Sequence, residues 1–595
     1  MESFTLVREG MRIEFNVPIK TRSGRIVRAN IFHPLEEGKY PVIFNYGIYG
    51  KDLHFQDGYP DVYERIRKNV PDYFVNTTGT HHCWEILDPE KWCKDGYVIA
   101  RIDSKGTGQS EGYMDPYCHE EAEDVCDCIE YFAAQPWCNG KVGMSGTSYH
   151  SVTMWNAASL QPEHLTAFCA WEGHTDIYRD NLRHGGILSS FQSIWFKKQP
   201  SLVQNGRGKR GYTSRVTGLP VSGDKDLTDS ELAANRISMS DVTSAKENEL
   251  ITDWHRGQSA DVTKIKAAYI AVVNWGGQGL HMRGSVDAFV HGGSKNKYML
   301  AISGPHGDLY FSDKSVNLQK KFFGYYLKGE DTGWDKMPPV TMRVRKVGEP
   351  AFSDKHEYRS ENEFPLARTQ YTKFYLDCSN YGLTTDVPTA KGTITYKGMS
   401  SDGVTFMSQP LEKETEITGY IASKLFISAD TNDADLFVTV RAFAPDMKEV
   451  VFSGANAENI PVAIGWLRAS HRKLDPEKTT EFRPYHTHDE LWPLKPGEIA
   501  EMDVEVWPTN IVLPKGYRIA VTIKGKDHVY TGYIPLNYQL KSKYDEDVPQ
   551  RIDGLGPMRH TDPIDRPPEI FDNNVTLHFD EDKRPYIMLP IIPAK

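Results

Sequence analysis

Apolar residues along the chain change their period twice. Near the N-terminus they alternate with polar ones: Thr5-Leu6-Val7, Met11 through Val17 and Ile26 through Phe32 predict strands, with Gly24 at a turn. A continuous apolar run at 40–46 and largely apolar runs at 97–103, 165–171, 267–275 and 297–303 follow, as expected of buried strands. Between them Val125, Ile129, Phe132 and Ala133 fall at helical spacing, which predicts a helix over 119–134 that Pro136 ends. Strands alternating with helices imply a doubly wound, mainly parallel sheet, with its chemistry at the carboxyl ends of the strands. Residues 52 to about 90 read as an irregular, loop-rich insertion over the edge of the site. Residues 177 to about 262 are polar, with helix-compatible pieces such as 227–237 and no strand signal, and suit a helical cap. The first domain, 1–337, closes on a helix through Phe322, Phe323, Tyr326 and Leu327. From 338 to 595 short alternating runs separated by Gly, Pro, Asn and Asp predict a β-sandwich or jelly roll.

At 595 residues the chain is too long for one core. Its 39% hydrophobic and 25% charged content is that of a globular protein, and a net charge of −11 argues against a nucleic-acid partner. The first ten residues lack a basic segment followed by an apolar one, and no run of about 20 apolar residues occurs, so neither a signal peptide nor a membrane span is expected and the location is taken as cytoplasmic. The eight cysteines form no Cys-x-x-Cys pair; Cys126 and Cys128, near His119, point to different faces of a helix, so no metal site is expected there. Gly106-x-Gly108 is too short for a dinucleotide fingerprint and no helix follows it to receive a pyrophosphate. No cofactor is expected.

One stretch carries chemistry. In Gly140 through Ser151 an apolar run enters a cluster of small residues with Ser148 at its apex, and a helix-compatible segment with Val152, Trp155 and Ala158 leaves it. A strand–turn–helix of this kind exposes the serine Oγ and leaves backbone N–H groups free at a helix N-terminus. His150 stands where the last glycine of G-x-S-x-G would be, so the same letters also suit an ordinary strand-to-helix turn. Small residues at Gly146 and Ser151 suit a close approach of strand and helix.

Further stretches decide between these readings. Gln135-Pro136-Trp137, Gly146-x-Ser148-Tyr149, Trp171-Glu172-Gly173 with Asp176-Ile177-Tyr178-Arg179, Gly279-Leu280-His281-x-Arg283-Gly284, Gly304-Pro305-His306 and Tyr326-Leu327-Lys328-Gly329 together resemble the cocaine-esterase and X-prolyl dipeptidyl peptidase (CocE/NonD) family of α/β-hydrolases. Glu416 through Gly419, Ala434-Asp435-Leu436, Gly465 through Ser470 and Lys495 through Glu498 extend the resemblance over most of 95–525, while the last fifty or so residues find no place in it. The family implies an α/β-hydrolase domain with an inserted helical cap and a C-terminal jelly roll. It also implies acyl transfer from an ester or amide to Ser148 and then to water, with His306 as base. Tyr49 and the backbone N–H of Tyr149 would form the oxyanion hole.

The chain departs from the family at one position. Gly277 stands where relatives usually carry the Asp of the triad. The acid is then Glu172, which leaves the strand beside the nucleophile's; or Asp176 or Asp308; or it is lost, leaving a dyad or a degraded site. Glu172 would otherwise be a structural group bonded to the cap. His281 and Arg283 read as anchors of their loop, His150 as either pocket wall or sheet-edge partner, and His81-His82 as surface or, alternatively, site edge. The leading expectation is a metal-independent serine hydrolase of a small-molecule ester or amide, with esterase favoured over X-prolyl peptidase activity. The alternatives are a transferase, cyclase or condensing enzyme using another acyl acceptor, and a catalytically weak binding protein. A homo-oligomer is compatible with the sequence.

Overall fold

The computed structural model describes residues 2–353, 356–457, 459–528 and 558–593. Its first sheet contains β1 (Phe4–Arg8), β2 (Met11–Lys20), β3 (Ile26–Pro34), β4 (Tyr40–Gly47), β5 (Val98–Asp103), β6 (Cys138–Thr147) and β7 (Leu165–Trp171). Two short strands, β8 (Arg183–His184) and β9 (Ile187–Leu188), pair only with each other, and the sheet resumes with β10 (Ala268–Asn274), β11 (Lys297–Ile302), β12 (Val340–Arg343) and β13 (Tyr358–Glu361). The strand order is β1-β2-β3-β5-β4-β6-β7-β10-β11-β12-β13. From β5 to β12 every neighbouring pair is parallel; β1, β2, β3 and β13 are antiparallel additions at the two edges. The apolar runs read as buried strands are that: every residue of β5 and β10 is buried.

Register determines the site. Thr147 pairs with Trp171, Trp171 with Val272, and Asn274 with Ile302. Ser148, Glu172, the turn after Asn274 and the segment leading to His306 therefore leave the sheet side by side, at its carboxyl edge, where doubly wound sheets collect ligands. Behind Ser148 the helix Tyr149–Ser159 is buried on every side.

Several expectations change. Residues 52–90, read as irregular, include the helix Pro60–Asn69, with Pro60 at its first turn and Val62, Tyr63 and Ile66 buried. The segment 177–262 has short helices at Phe191–Lys198, Asp229–Ala234, Met239–Ser244 and Asp253–Gly257, but it also holds the β8–β9 hairpin. That hairpin is two residues a side, too short to leave an alternating signature. The first sheet continues past residue 337 through β12 and β13, so sheet membership changes between Glu361 and Gln370.

The remaining strands, from Gln370–Asp377 onward, form a second sheet in which Thr415–Ala429 pairs with Ala500–Leu513 and also with Tyr586–Ile592. Tyr586–Ile592 pairs with Gln370–Asp377 as well, which closes the sheet on itself. The C-terminal segment that found no place in the sequence reading thus contributes two strands, Asn574–Phe579 and Tyr586–Ile592; the part of it between 545 and 557 lies outside the described residues. Buried ion pairs tie the parts together. Arg283 bonds Asp180 at 3.0 Å and Glu505 at 2.9 Å, and Asp565 meets Arg183 at 2.6 Å and Arg468 at 2.9 Å. Among the described residues no helix is long and apolar enough to cross a membrane.

Candidate active site

Ser148 has φ 59° and ψ −116°, a conformation that non-glycine residues avoid, and the helix Tyr149–Ser159 starts directly after it. The backbone is held there by the Ser148 N–H, which donates to the Trp171 carbonyl at 2.9 Å. A Cβ on Gly146 would come within 2.5 Å of the His150 Cβ, so the elbow requires glycine at that position. His150 itself is buried, with Nδ1 donating to the Tyr46 carbonyl at 3.2 Å: it is the sheet-edge partner.

Two further residues beside Ser148 share its strain. Glu172 has φ 47° and Glu85 φ 64°. Glu172 follows β7 and its N–H donates to the Val272 carbonyl at 3.1 Å; the Glu85 carbonyl accepts from Thr147 N–H at 3.0 Å, which clamps the 52–90 segment onto β6.

The side chains form two pairings around Ser148. Ser148 Oγ lies 3.1 Å from His281 Nε2. His306 Nδ1 lies 2.8 Å from Glu172 Oε2, and His306 Nε2 lies 3.1 Å from Glu85 Oε1. The expected contact between His306 and Ser148 is therefore replaced in this arrangement: a second carboxylate occupies the nitrogen that would face the hydroxyl. His281, expected only to anchor its loop, is the imidazole bonded to the serine. Its ring is stacked between those of His174, 5.8 Å away, and His306, 5.3 Å away, and its Nδ1 has no hydrogen-bond partner among the described residues. Arg283 does anchor the loop, through Asp180 and Glu505.

Glu172 is the carboxylate on His306 Nδ1, and it is itself oriented: Oε1 accepts the Gly307 N–H at 3.0 Å and Oε2 accepts the Asn274 amide at 3.0 Å. Asp176 and Asp308 are engaged elsewhere, Asp176 with Arg179 at 2.6 Å and Asp308 with Arg65 at 2.6 and 2.9 Å. At Gly277 the chain makes a tight turn, its N–H on the Asn274 carbonyl at 2.8 Å, in place of an acid.

Electrostatics separate the two histidines. Burial alone would lower the His306 pKa, but the charge and hydrogen bond of Glu172, followed by those of Glu85, push it up to about 10. Burial, then the neighbouring His306 and His174, lower His281 well below the ordinary imidazole value. Burial raises the Glu85 carboxyl to about 7 although His306 opposes it. These shifts favour the neutral imidazole at His281 and the charged form at His306, which lies between the carboxyl groups of Glu172 and Glu85.

Tyr49 lies over the start of the helix, its ring 6.1 Å from that of Tyr149 and 5.7 Å from that of His150. Its hydroxyl accepts from Trp195 Nε1 at 3.2 Å, so its own proton remains to be donated. Burial and the charge of Glu85 raise its pKa well above 10, which keeps it a donor. Tyr149 directs its own hydroxyl away, to Glu121 Oε2 at 2.6 Å, so only its backbone N–H is available at the elbow. Tyr59 from the 52–90 segment and Trp195 from the cap pack edge-on against Tyr49, and Trp84 stacks on Tyr59. His81 and His82, expected at the surface, are buried; His81 Nε2 bonds Glu9 at 3.1 Å and His82 stacks on Tyr73 at 4.0 Å. Glu85, Asn274 and His174 were not singled out from the sequence. Glu85 lies in a segment without hydrophobic period, and nothing local marks it.

Residues 23–308 match the model of the X-Pro dipeptidyl-peptidase (S15) family, and residues 332–561 match that of the X-Pro dipeptidyl-peptidase C-terminal non-catalytic domain. Cocaine esterase from Rhodococcus sp. is 22% identical over 584 residues, covering 86% of this chain and 90% of that one. The crystal structure of a CocE/NonD family hydrolase from Staphylococcus aureus superposes with a TM-score of 0.81 at 27% identity, over 98% of this chain and 94% of that one. The structure of an aminopeptidase from a marine sediment Thaumarchaeota archaeon shares the fold, with a TM-score of 0.65 at 14% identity over 99% of this chain and 97% of that one.

Proposed function

Because the chain belongs to the group of serine esterases and peptidases that unites cocaine esterase with the X-Pro dipeptidyl-peptidases, we propose that it hydrolyses a small-molecule ester or amide through an acyl-enzyme on Ser148. His306 is the general base and Glu172 the acid that orients it. The observation that carries this reading is the 2.8 Å contact between Glu172 Oε2 and His306 Nδ1, with Glu172 itself fixed by Asn274 and Gly307. A carboxylate so placed selects the imidazole tautomer whose Nε2 can accept a proton and stabilises the imidazolium formed on attack. It does so from the end of β7, in place of the missing acid at Gly277.

In the reaction Ser148 turns from His281 to His306 Nε2. With His306 in its neutral form, Nε2 unprotonated, the serine oxygen bonds the substrate carbonyl carbon while its proton passes to that nitrogen, and the carbonyl oxygen takes up negative charge facing the Tyr49 hydroxyl and the Tyr149 N–H. His306 returns the proton to the leaving group; water then attacks the acyl-enzyme by the same route in reverse. A second reading makes His281 the base directly, and the 3.1 Å contact with Ser148 Oγ favours it. His281 has no carboxylate on Nδ1, so His306 is the better supported imidazolium.

We further infer a hydrolase domain, with its cap, running to about residue 361, followed by a domain of jelly-roll type; the closed second sheet supports this division. The test is covalent: a fluorophosphonate probe is expected to add its mass at Ser148 and nowhere in Ser148→Ala. Absence of labelling in the folded wild type would refute the assignment, and product analysis with and without an added nucleophile would identify water as the acceptor.

A further inference from the structure

Glu85 has no part in that reaction, yet its carboxylate bonds the nitrogen the reaction needs. Oε1 lies 3.1 Å from His306 Nε2, Oε2 has no partner among the described residues, and the side chain is 1% exposed. Its backbone is pinned as well, with φ 64° and its carbonyl on Thr147 N–H, one residue from the nucleophile. A strained, buried carboxylate at such a position costs stability.

We propose that Glu85 is a latch on the base: it holds His306 in the charged, Nε2-protonated form in the free enzyme and releases it only when that nitrogen gives up its proton and turns to Ser148. The inference rests on His306 being the base. An imidazolium whose Nε2–H points at a carboxylate cannot accept the serine proton. The proton must first pass to solvent, leaving neutral His306 to receive one from Ser148. Each charged or titratable group around His306 enters this balance. Glu172 after β7 favours the charged form through Nδ1, and Glu85, whose own carboxyl burial raises to about 7, favours it through Nε2 when ionised. His281, from the turn after β10, is neutral and opposes it only if charged. Asp308, two residues on, is held by Arg65 of the helix Pro60–Asn69, so its charge is largely matched. Of the two carboxylates in contact, Glu172 is required for orientation, so Glu85 is the one whose loss should free the base.

Removing an opposite charge at hydrogen-bond distance lowers an imidazole pKa by roughly one to three units. The readout is the pH dependence of Ser148 acylation, followed with p-nitrophenyl acetate in the full-length protein. The wild-type acid limb is expected roughly one unit or more above the ordinary imidazole value of about 6.5. Glu85→Gln, which is isosteric and keeps a hydrogen bond, is expected to move that limb down by about one unit or more and to raise acylation near pH 7 about tenfold. Glu85→Asp retains the charge and is expected to leave the limb near its wild-type position. Superposable limbs in wild type and Glu85→Gln would overturn the latch. If Glu85→Gln does not fold, the wild-type limb decides alone, and a limb at the ordinary imidazole value overturns it. His306→Gln separates the two ideas: acylation surviving there removes the base assignment itself, whereas its loss together with unshifted Glu85→Gln limbs removes only the latch.

Discussion

Glu172 Oε2 and His306 Nδ1 meet at 2.8 Å, although 134 residues separate them in the chain. The contact exists because β7 and β10 are parallel neighbours and β10 and β11 are the next pair, so the ends of β7 and β11 open into one crevice. Glu172→Gln keeps the shape of the side chain and removes the charge that stabilises the imidazolium. Activity is expected to fall at least about 100-fold with the fold retained, by steady-state kinetics and circular dichroism. A loss under about tenfold would remove Glu172 as the triad acid.

The two histidines give opposite expectations. His306→Ala is expected to lower kcat about 1000-fold or more, whereas His281→Ala is expected to cost at most about tenfold, since it removes only the resting partner of Ser148 Oγ. The reverse order would make His281 the base. Both variants should be read beside labelling of Ser148, which distinguishes lost chemistry from lost structure.

Tyr49→Phe deletes the hydroxyl proposed as an oxyanion donor while keeping the ring packed against Tyr149 and His150. A fall in kcat of about 100-fold with little change in KM is expected, because the donor acts on charge that exists only in the transition state. Trp195→Phe, which removes only the donor to the Tyr49 hydroxyl, should have a smaller effect on the same parameter.

Stability should fail first where Asp565 meets Arg468 and Arg183. Burial would raise the Asp565 carboxyl, but the two guanidinium groups outweigh it and hold it well below the usual carboxylate range. A carboxyl depressed in the folded state contributes stability above its unfolded value, near pH 4, and loses that contribution as the pH falls toward the folded value. The apparent Tm should therefore be insensitive to this group at neutral pH and drop on acidification below about pH 4. Arg468→Met leaves Asp435 and Asp565 short of a buried partner and is expected to cost about 3 to 5 kcal/mol at pH 7, as measured by denaturant unfolding.

Periodicity alone made the central sheet legible. Runs such as 97–103 and 267–275 are largely apolar because both faces are covered, and the helix over 119–134 declares its one buried face by its spacing. The elbow was legible for a local reason: only small residues allow helix and strand backbones to approach as Gly146 does. Less regular segments were not. The helix Pro60–Asn69 is short and mostly polar, β8 and β9 are two residues each, and the strands after residue 558 follow a stretch with no clear signal.

The sequence by itself thus determined the succession of strand and helix types, the tight turn at Ser148 and the absence of an acid at position 277, because each is a property of neighbouring residues. Which imidazole faces Ser148, and which carboxylates face His306, was decided by tertiary structure alone. Those contacts join the ends of separate strands with the Glu85 segment, and parallel register sets their distances without leaving any trace in local composition. Even the placement of His306 depends on the far part of the chain, since its backbone N–H donates to the Ala455 carbonyl at 2.9 Å.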